Sequence, residues 1–235
     1  MIKKLVLANE YRWLTVGEVL DKVDNIAKGL YEIGIRPGDR VVIYADTQSD
    51  WFFCCLAIAK LNATLVTLYS NLGDSGVMYG MNQTKAKYVI TTEELMNKLL
   101  TYGNKVPNLK NMVYFESKCP NLKAQPIKPA DSSIRIFSLN EIEASGSRIA
   151  EHKFEFPQPD DIALIMYTSG TTSLPKAVMI THQQLMANMK GMTVAAEENR
   201  FDLPTQVLGS FLPLAHIFGY VFNIYMFISE FCLNF

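Results

Sequence analysis

Metal-ligand patterning is nearly absent from this sequence. Its three histidines stand apart, and its four cysteines, Cys54, Cys55, Cys119 and Cys232, form no Cys-x-x-Cys pair and no Cys/His set, so a structural zinc site is not expected. Their irregular spacing gives no disulfide framework and favours a reducing compartment. Cys54 and Cys55 lie in an apolar run, 51–59, where a free thiol behaves as a small hydrophobe. Charge of one sign is also lacking. Twenty-two basic residues face 23 acidic ones, for a formal net charge of −1, and a polyanion such as nucleic acid has no electrostatic partner here. Internal repeats and low-complexity segments are missing. The apolar stretch at Met1–Ala8 stops at Asn9-Glu10-Tyr11-Arg12, too short for the core of a signal peptide.

What is present is an ordinary globular balance, 49% hydrophobic and 19% charged, enough to bury a sizeable core. Strand-like and helix-like segments alternate, which predicts an α/β fold: layered, mostly parallel sheets flanked by helices. Thr15 can cap a helix with Glu18 as its partner three residues on. Val16, Val19, Leu20, Val23, Ile26, Ala27 and Leu30 then fall on one face. Gly34 and Pro37-Gly38 end that element. Strands are expected at Arg40–Tyr44, Ala63–Leu68, Tyr88–Ile90, Asn111–Phe115, Ser133–Phe137 and Ile162–Tyr167. Helices are expected at Ser49–Leu61, Asp74–Asn82 and Thr92–Leu100, the last capped by Thr91 or Thr92. The proline-bearing stretches 116–131 and 156–161 read as connectors. The run Ile217–Phe235 is apolar except for Asn223, Glu230 and Asn234. It approaches the ~20 residues that span a bilayer, but Glu230 would be costly in lipid, and a buried helix is the expectation.

The chemistry concentrates after the Ile162–Tyr167 strand, in Tyr167-Thr-Ser-Gly-Thr-Thr-Ser-Leu-Pro-Lys-Ala-Val178. Thr168, Ser169, Thr171 and Thr172 surround Gly170, and Pro175-Lys176 follow. Turn amides form an anion-binding nest, hydroxyls add hydrogen bonds or reach a metal, and a lysine supplies a point charge for phosphate oxygens. Glycine lets the backbone approach closely. The spacing is not Gly-x4-Gly-Lys-[Ser/Thr], so a Walker A loop is excluded. Taken alone, such a cluster is also compatible with a surface turn.

The full string resembles the phosphate loop of the adenylate-forming superfamily, which includes acyl-CoA synthetases, luciferases and peptide-synthetase adenylation domains. The likeness continues into Met179–Leu185. A second block, Phe211-Leu-Pro-Leu-Ala-His-Ile-Phe218, is similar to the next family motif in the form typical of long-chain acyl-CoA synthetases, and Gly38-Asp39-Arg40-Val41 resembles that family's N-terminal region. The resemblance implies that residues 1–235 are part of an adenylation N-terminal domain, with the phosphate loop at 167–178 and no C-terminal domain. It implies that Thr168, Ser169, Gly170, Thr171, Thr172 and Lys176 contact ATP, that Thr171 touches Mg2+, and that His216 lies beside the acyl-adenylate pocket. His216 can equally be a packed residue that orders its loop. His182 reads as a cap or turn residue, and the aromatic run after His216 as core.

The activity implied has two steps. A fatty-acid carboxylate attacks the α-phosphate of Mg-ATP to give acyl-adenylate and pyrophosphate, then coenzyme A thiolate displaces AMP. Partners would be the fatty acid, ATP and coenzyme A, with peripheral membrane association on the cytoplasmic face of the endoplasmic reticulum or another organelle, or residence in the cytoplasm. Two competing readings are a non-catalytic binding or scaffold protein, and a synthetase for another carboxylic acid. Three positions depart from the family pattern. Ser173 and Ala177 stand where glycines are usual, and Gly219 stands near a position that is often acidic. A side chain at a positive-φ glycine site costs about 1 kcal/mol or more.

Overall fold

The computed structural model describes residues 11–116, 133–168, 175–198, 207–229 and 232–234. Its centre is a seven-stranded sheet in the order β5-β4-β3-β1-β2-β6-β7. The strands are β1 (Arg40–Tyr44), β2 (Thr64–Leu68), β3 (Tyr88–Thr92), β4 (Asn111–Phe115), β5 (Arg135–Ser138), β6 (Ile162–Thr168) and β7 (Lys176–Thr181). All neighbours are parallel except β7, which runs antiparallel to β6. The order β2-β1-β3-β4-β5 is that of a doubly wound sheet, whose ligands bind outside the carboxyl ends of the strands.

Side chains alternate between two buried faces, as period-two strands require. Val41, Ile43, Leu65, Leu164 and Met166 point into one core. Val42, Tyr44, Val66, Leu68, Ile165 and Tyr167 point into the other. Helices α1 (Val16–Glu32), α2 (Ser49–Lys60) and α5 (Leu139–Gly146) cover the first face. Helices α3 (Asp74–Thr84) and α4 (Glu93–Leu100) cover the second.

The capping box at α1 forms as expected. Glu18 N donates to Thr15 Oγ1 at 3.2 Å, and Thr15 N donates to Glu18 Oε2 at 2.7 Å. Its buried stripe is narrower than the sequence suggests, because Val16 and Leu20 remain exposed at 47% and 52%. Thr92 caps α4 by accepting from Leu95 N at 3.3 Å. Helix α5, not anticipated, carries a second capping box between Ser138 and Glu141. It packs on α1 at close range. A Cβ on Gly29 would lie 2.0 Å from the Ile142 carbonyl oxygen, and one on Gly146 would lie 1.8 Å from that of Asn25.

The C-terminal apolar run is not one helix. Helix α7 spans Ile217–Ile228, and β9 (Cys232–Asn234) follows, pairing in parallel with β8 (Val207–Gly209). The inner face of α7 has partners on α2: Trp51 meets Tyr220 edge-on at 6.4 Å between ring centroids, and Phe52 meets Phe227 at 5.5 Å. Its buried aromatics are therefore core, while Phe218 and Ile228 stay exposed. Among the described residues no helix is long and apolar enough to cross a membrane.

Candidate nucleotide site

The phosphate-loop string closes a hairpin. Tyr167 and Thr168 end β6, Lys176–Val178 begin β7, and Thr168 pairs with Lys176. Directly paired residues of an antiparallel ladder project from the same face. By alternation from Leu164 and Met166, that face belongs to the first core, covered by α1 and α2. Thr168 and Lys176 are both exposed at its carboxyl end. Thr168 Oγ1 lies 3.5 Å from the Lys176 carbonyl oxygen. Among the described residues no carboxylate forms an ion pair with the Lys176 ammonium. A hydroxyl and an unpaired cation at the mouth of a Ser/Thr/Gly loop fit a polyphosphate. Ser169, Gly170, Thr171 and Thr172, with the expected magnesium contact at Thr171, lie outside the described residues, as does Ser173.

The stem of the loop is fixed from the other face. Tyr167 Oη is 2.9 Å from Gln83 Oε1 and 3.2 Å from the Gly80 carbonyl oxygen. Burial pushes the phenol up to about 12, with Tyr79 adding to it, so Tyr167 is a neutral donor there. Ala177, one of the two departures from the resembled loop signature, sits within β7 opposite Tyr167. It is not among the non-glycine residues at positive φ, which are Asn62 and Lys85. The expected backbone penalty therefore does not arise at this position.

His216 caps α7, its Nδ1 accepting from Phe218 N at 3.2 Å. The ring is exposed, so His216 orders the start of α7 from the surface and not from within the core. The preceding turn is bonded to the strand ends. Leu214 N donates to Thr47 Oγ1 at 2.9 Å, Thr67 Oγ1 donates to the Ala215 carbonyl at 3.1 Å, and His216 N donates to that of Pro213 at 2.9 Å. Thr47 follows β1, and Thr67 lies in β2, whose neighbour in β6 is Met166. Sequence reasoning did not single out either threonine, because both bonds span more than 140 residues of chain. The family signal at Leu212–His216 was visible, but not what it rests on.

Gly219 has a steric reason. A Cβ there would lie 2.3 Å from the Pro213 carbonyl oxygen, so an acidic side chain cannot be added without moving α7. His182 is not at this site. It begins α6 (His182–Glu198), and the cap is Thr181, which exchanges hydrogen bonds with Gln184. Thr181 pairs with Ile162 at the opposite end of the hairpin, roughly 20 Å from the loop at 3.3–3.4 Å per residue.

Comparison with known proteins agrees with this layout. The family model described as "AMP-binding enzyme" matches residues 2–233. The fold and its loop thus define a domain of the adenylate-forming class, and the chain belongs to the AMP-binding enzyme family. Its curated relatives are long-chain acyl-CoA synthetases. The chain is 34% identical over 221 residues to long chain acyl-CoA synthetase 8 of Arabidopsis thaliana, covering 94% of this chain and 30% of the relative. It is 31% identical over 229 residues to long-chain-fatty-acid–CoA ligase 4 of Saccharomyces cerevisiae, covering 91% and 33%. The chain therefore spans about a third of the length of the curated relatives it matches. Among solved structures, a long-chain-fatty-acid-CoA ligase of Archaeoglobus fulgidus matches with a TM-score of 0.71 and 19% identity, over 99% of this chain and 42% of that one. The A-PCP didomain of a carboxylic acid reductase of Segniliparus rugosus, in complex with AMP, gives 0.76 and 19%, over 92% and 32%. At these identities the structural matches speak for the fold.

Proposed function

We propose that this chain supplies the phosphate-binding part of an acid–CoA ligase that activates long-chain fatty acids. The observation that carries this reading is the pairing of Thr168 with Lys176 across the mouth of the loop, with an ammonium on the same exposed face that has no ion-pair partner among the described residues. The similarity to long-chain acyl-CoA synthetases supplies the acyl class.

In this reading Lys176 holds phosphate oxygens of ATP, and the Thr168 hydroxyl adds a hydrogen bond at the loop's entry. Ser169, Gly170 and Thr172 are the candidate residues for the remaining phosphate contacts. Mg2+, for which Thr171 is the candidate residue, supplies charge neutralisation of the phosphates. Lys176 stabilises the negative charge that accumulates when the fatty-acid carboxylate attacks the α-phosphate and pyrophosphate leaves. His216 stands at the mouth of α7, where the acyl group would enter. Coenzyme A thiolate then attacks the acyl carbonyl and releases AMP.

The test is calorimetric titration of the folded 235-residue chain with Mg-ATP, beside Lys176→Ala. Saturable binding weakened about 10- to 100-fold is expected, because a hydrogen bond to a charged group contributes ~1.5–3 kcal/mol and 1.4 kcal/mol is tenfold. A folded chain that shows no binding would instead favour a non-catalytic scaffold role.

A further inference from the structure

We propose that Thr47 and Thr67 are positioning residues: together they hold the Leu212–His216 turn on the carboxyl ends of β1 and β2, and so set His216 against the phosphate-loop stem. The proposal rests on the nucleotide reading above for its purpose, though not for its geometry.

The two hydroxyls act on opposite polar groups of adjacent residues. Thr47 Oγ1 accepts from Leu214 N at 2.9 Å, and Thr67 Oγ1 donates to the Ala215 carbonyl at 3.1 Å. Leu214 and Ala215 are buried, as is Thr67. Neither backbone group can turn to water if its threonine is lost, and an unsatisfied buried group is penalised more than a solvated one.

Their placement in the sheet gives the clamp its consequence. Thr67 lies beside Met166 in the β2–β6 register. One residue beyond the bonded Ala215 is His216, and two beyond Met166 is Thr168. Neighbouring strands are about 4.8 Å apart, so a single hydroxyl fixes the second motif to β2, the strand paired with β6, which carries the first. Three further contacts make the turn rigid enough to transmit that placement. His216 N donates to the Pro213 carbonyl at 2.9 Å, and the same oxygen lies against Gly219 with no room for a Cβ. Asn223 Nδ2 donates to the Gly219 carbonyl at 2.7 Å, which ties the first turn of α7 to the second.

The experiment compares the full chain with Thr67→Val, Thr67→Ser and Thr47→Val by amide hydrogen exchange at Leu214–Phe218 and by the NMR shift of the His216 ring on adding Mg-ATP. Thr67→Val is expected to speed exchange in the turn at least about tenfold, with β1 and β2 amides within twofold. It should also abolish the nucleotide-induced shift of His216. Thr67→Ser, which keeps the donor, is expected to restore both. Exchange in Thr67→Val within twofold of the parent overturns the proposal, as does an equal loss in Thr67→Ser, which would assign the effect to packing. Should Thr67→Val fail to fold, Thr47→Val at its half-exposed position decides by the exchange of Leu214 alone. If the parent chain binds no Mg-ATP, the nucleotide reading fails while the exchange data still decide the clamp.

Discussion

Two glycines in helices should respond to the same added methyl with opposite sign. Gly219 is the third residue of α7, and a Cβ there would lie 2.3 Å from the Pro213 carbonyl oxygen, 3.0 Å from its carbon and 3.3 Å from the Leu212 carbonyl carbon. All three are backbone atoms of a turn held by Thr47 and Thr67, so they cannot swing aside as a side-chain end would. Reaching van der Waals separation requires a displacement of roughly 1 Å. Overpacking of this kind costs about 1–3 kcal/mol, and the better helix propensity of alanine returns at most ~1 kcal/mol. Gly219→Ala is therefore expected to destabilise by about 1–2 kcal/mol. Gly191 lies within α6, and an added Cβ would meet nothing within 4 Å. Gly191→Ala should gain the propensity term alone, up to ~1 kcal/mol of stabilisation. For a chain of this size 1 kcal/mol moves Tm by about 2–4 °C. Urea and thermal unfolding of both variants measure the two values. Shifts of the same sign, or an unchanged Gly219→Ala, would show that the Pro213–Gly219 contact is not as close as described.

Further variants probe other parts of the molecule. Gly29→Ala and Gly146→Ala each place a Cβ 2.0 Å or less from a facing backbone oxygen, so either should separate α1 from α5 and cost more than ~3 kcal/mol in urea unfolding. Lys176→Ala, at an exposed position, should leave Tm within ~2 °C of the parent while weakening Mg-ATP. Burial holds His182 below its ordinary value, against a smaller opposing effect of Asp161. The unfolded chain then binds the proton more readily than the fold. Stability is complete above the unfolded value near 6.5 and falls as pH drops from there through the lower folded value. Denaturation between pH 7.5 and 5 should show that loss, and His182→Asn should flatten it.

The sequence showed the sheet's first six strands and helices α1 to α4, because local signals mark them, among them Thr15-x-x-Glu18, the β-branched run at Arg40–Tyr44 and the glycines that follow α1. Helix α5 was missed although Ser138-x-x-Glu141 is the same capping pattern, since its large apolar residues are Leu139 and Ile142 alone, whereas α4, equally long, has Leu95, Met96, Leu99 and Leu100. Strand β7 was hidden inside the loop signature. Its apolar residues, Ala177–Ile180, form a run of only four with no period-two alternation, and they lie partly exposed at the sheet edge, with Ala177 packed on one core and Ile180 on the other. The run after His216 appears continuous because hydropathy cannot see that α7 stops at Ile228. Val16 and Leu20 were misplaced for a related reason: period alone cannot say how wide a stripe its neighbours cover. The bonds from Thr47 and Thr67 had no local pattern at all, since each joins residues that only the sheet brings together.

Of the two departures inside the loop signature, Ala177 lies among the described residues. A glycine is irreplaceable where φ is positive or where another chain leaves no space. Ala177 meets neither condition. It is a ladder residue opposite Tyr167 with φ outside the left-handed region, and its methyl joins Tyr167 in the second core. Alanine there adds apolar contact without strain, and it also removes the backbone freedom that glycine would give the unfolded chain. Its stiffening effect falls on the strand that presents Lys176, one residue away. The substitution thus favours a fixed lysine over a mobile one, which suits a site whose work is to hold phosphate charge in place. Ala177→Gly should accordingly lower stability by about 0.5–1 kcal/mol and weaken Mg-ATP binding modestly. A tighter complex in that variant, measured by the same calorimetry, would show that alanine obstructs the loop.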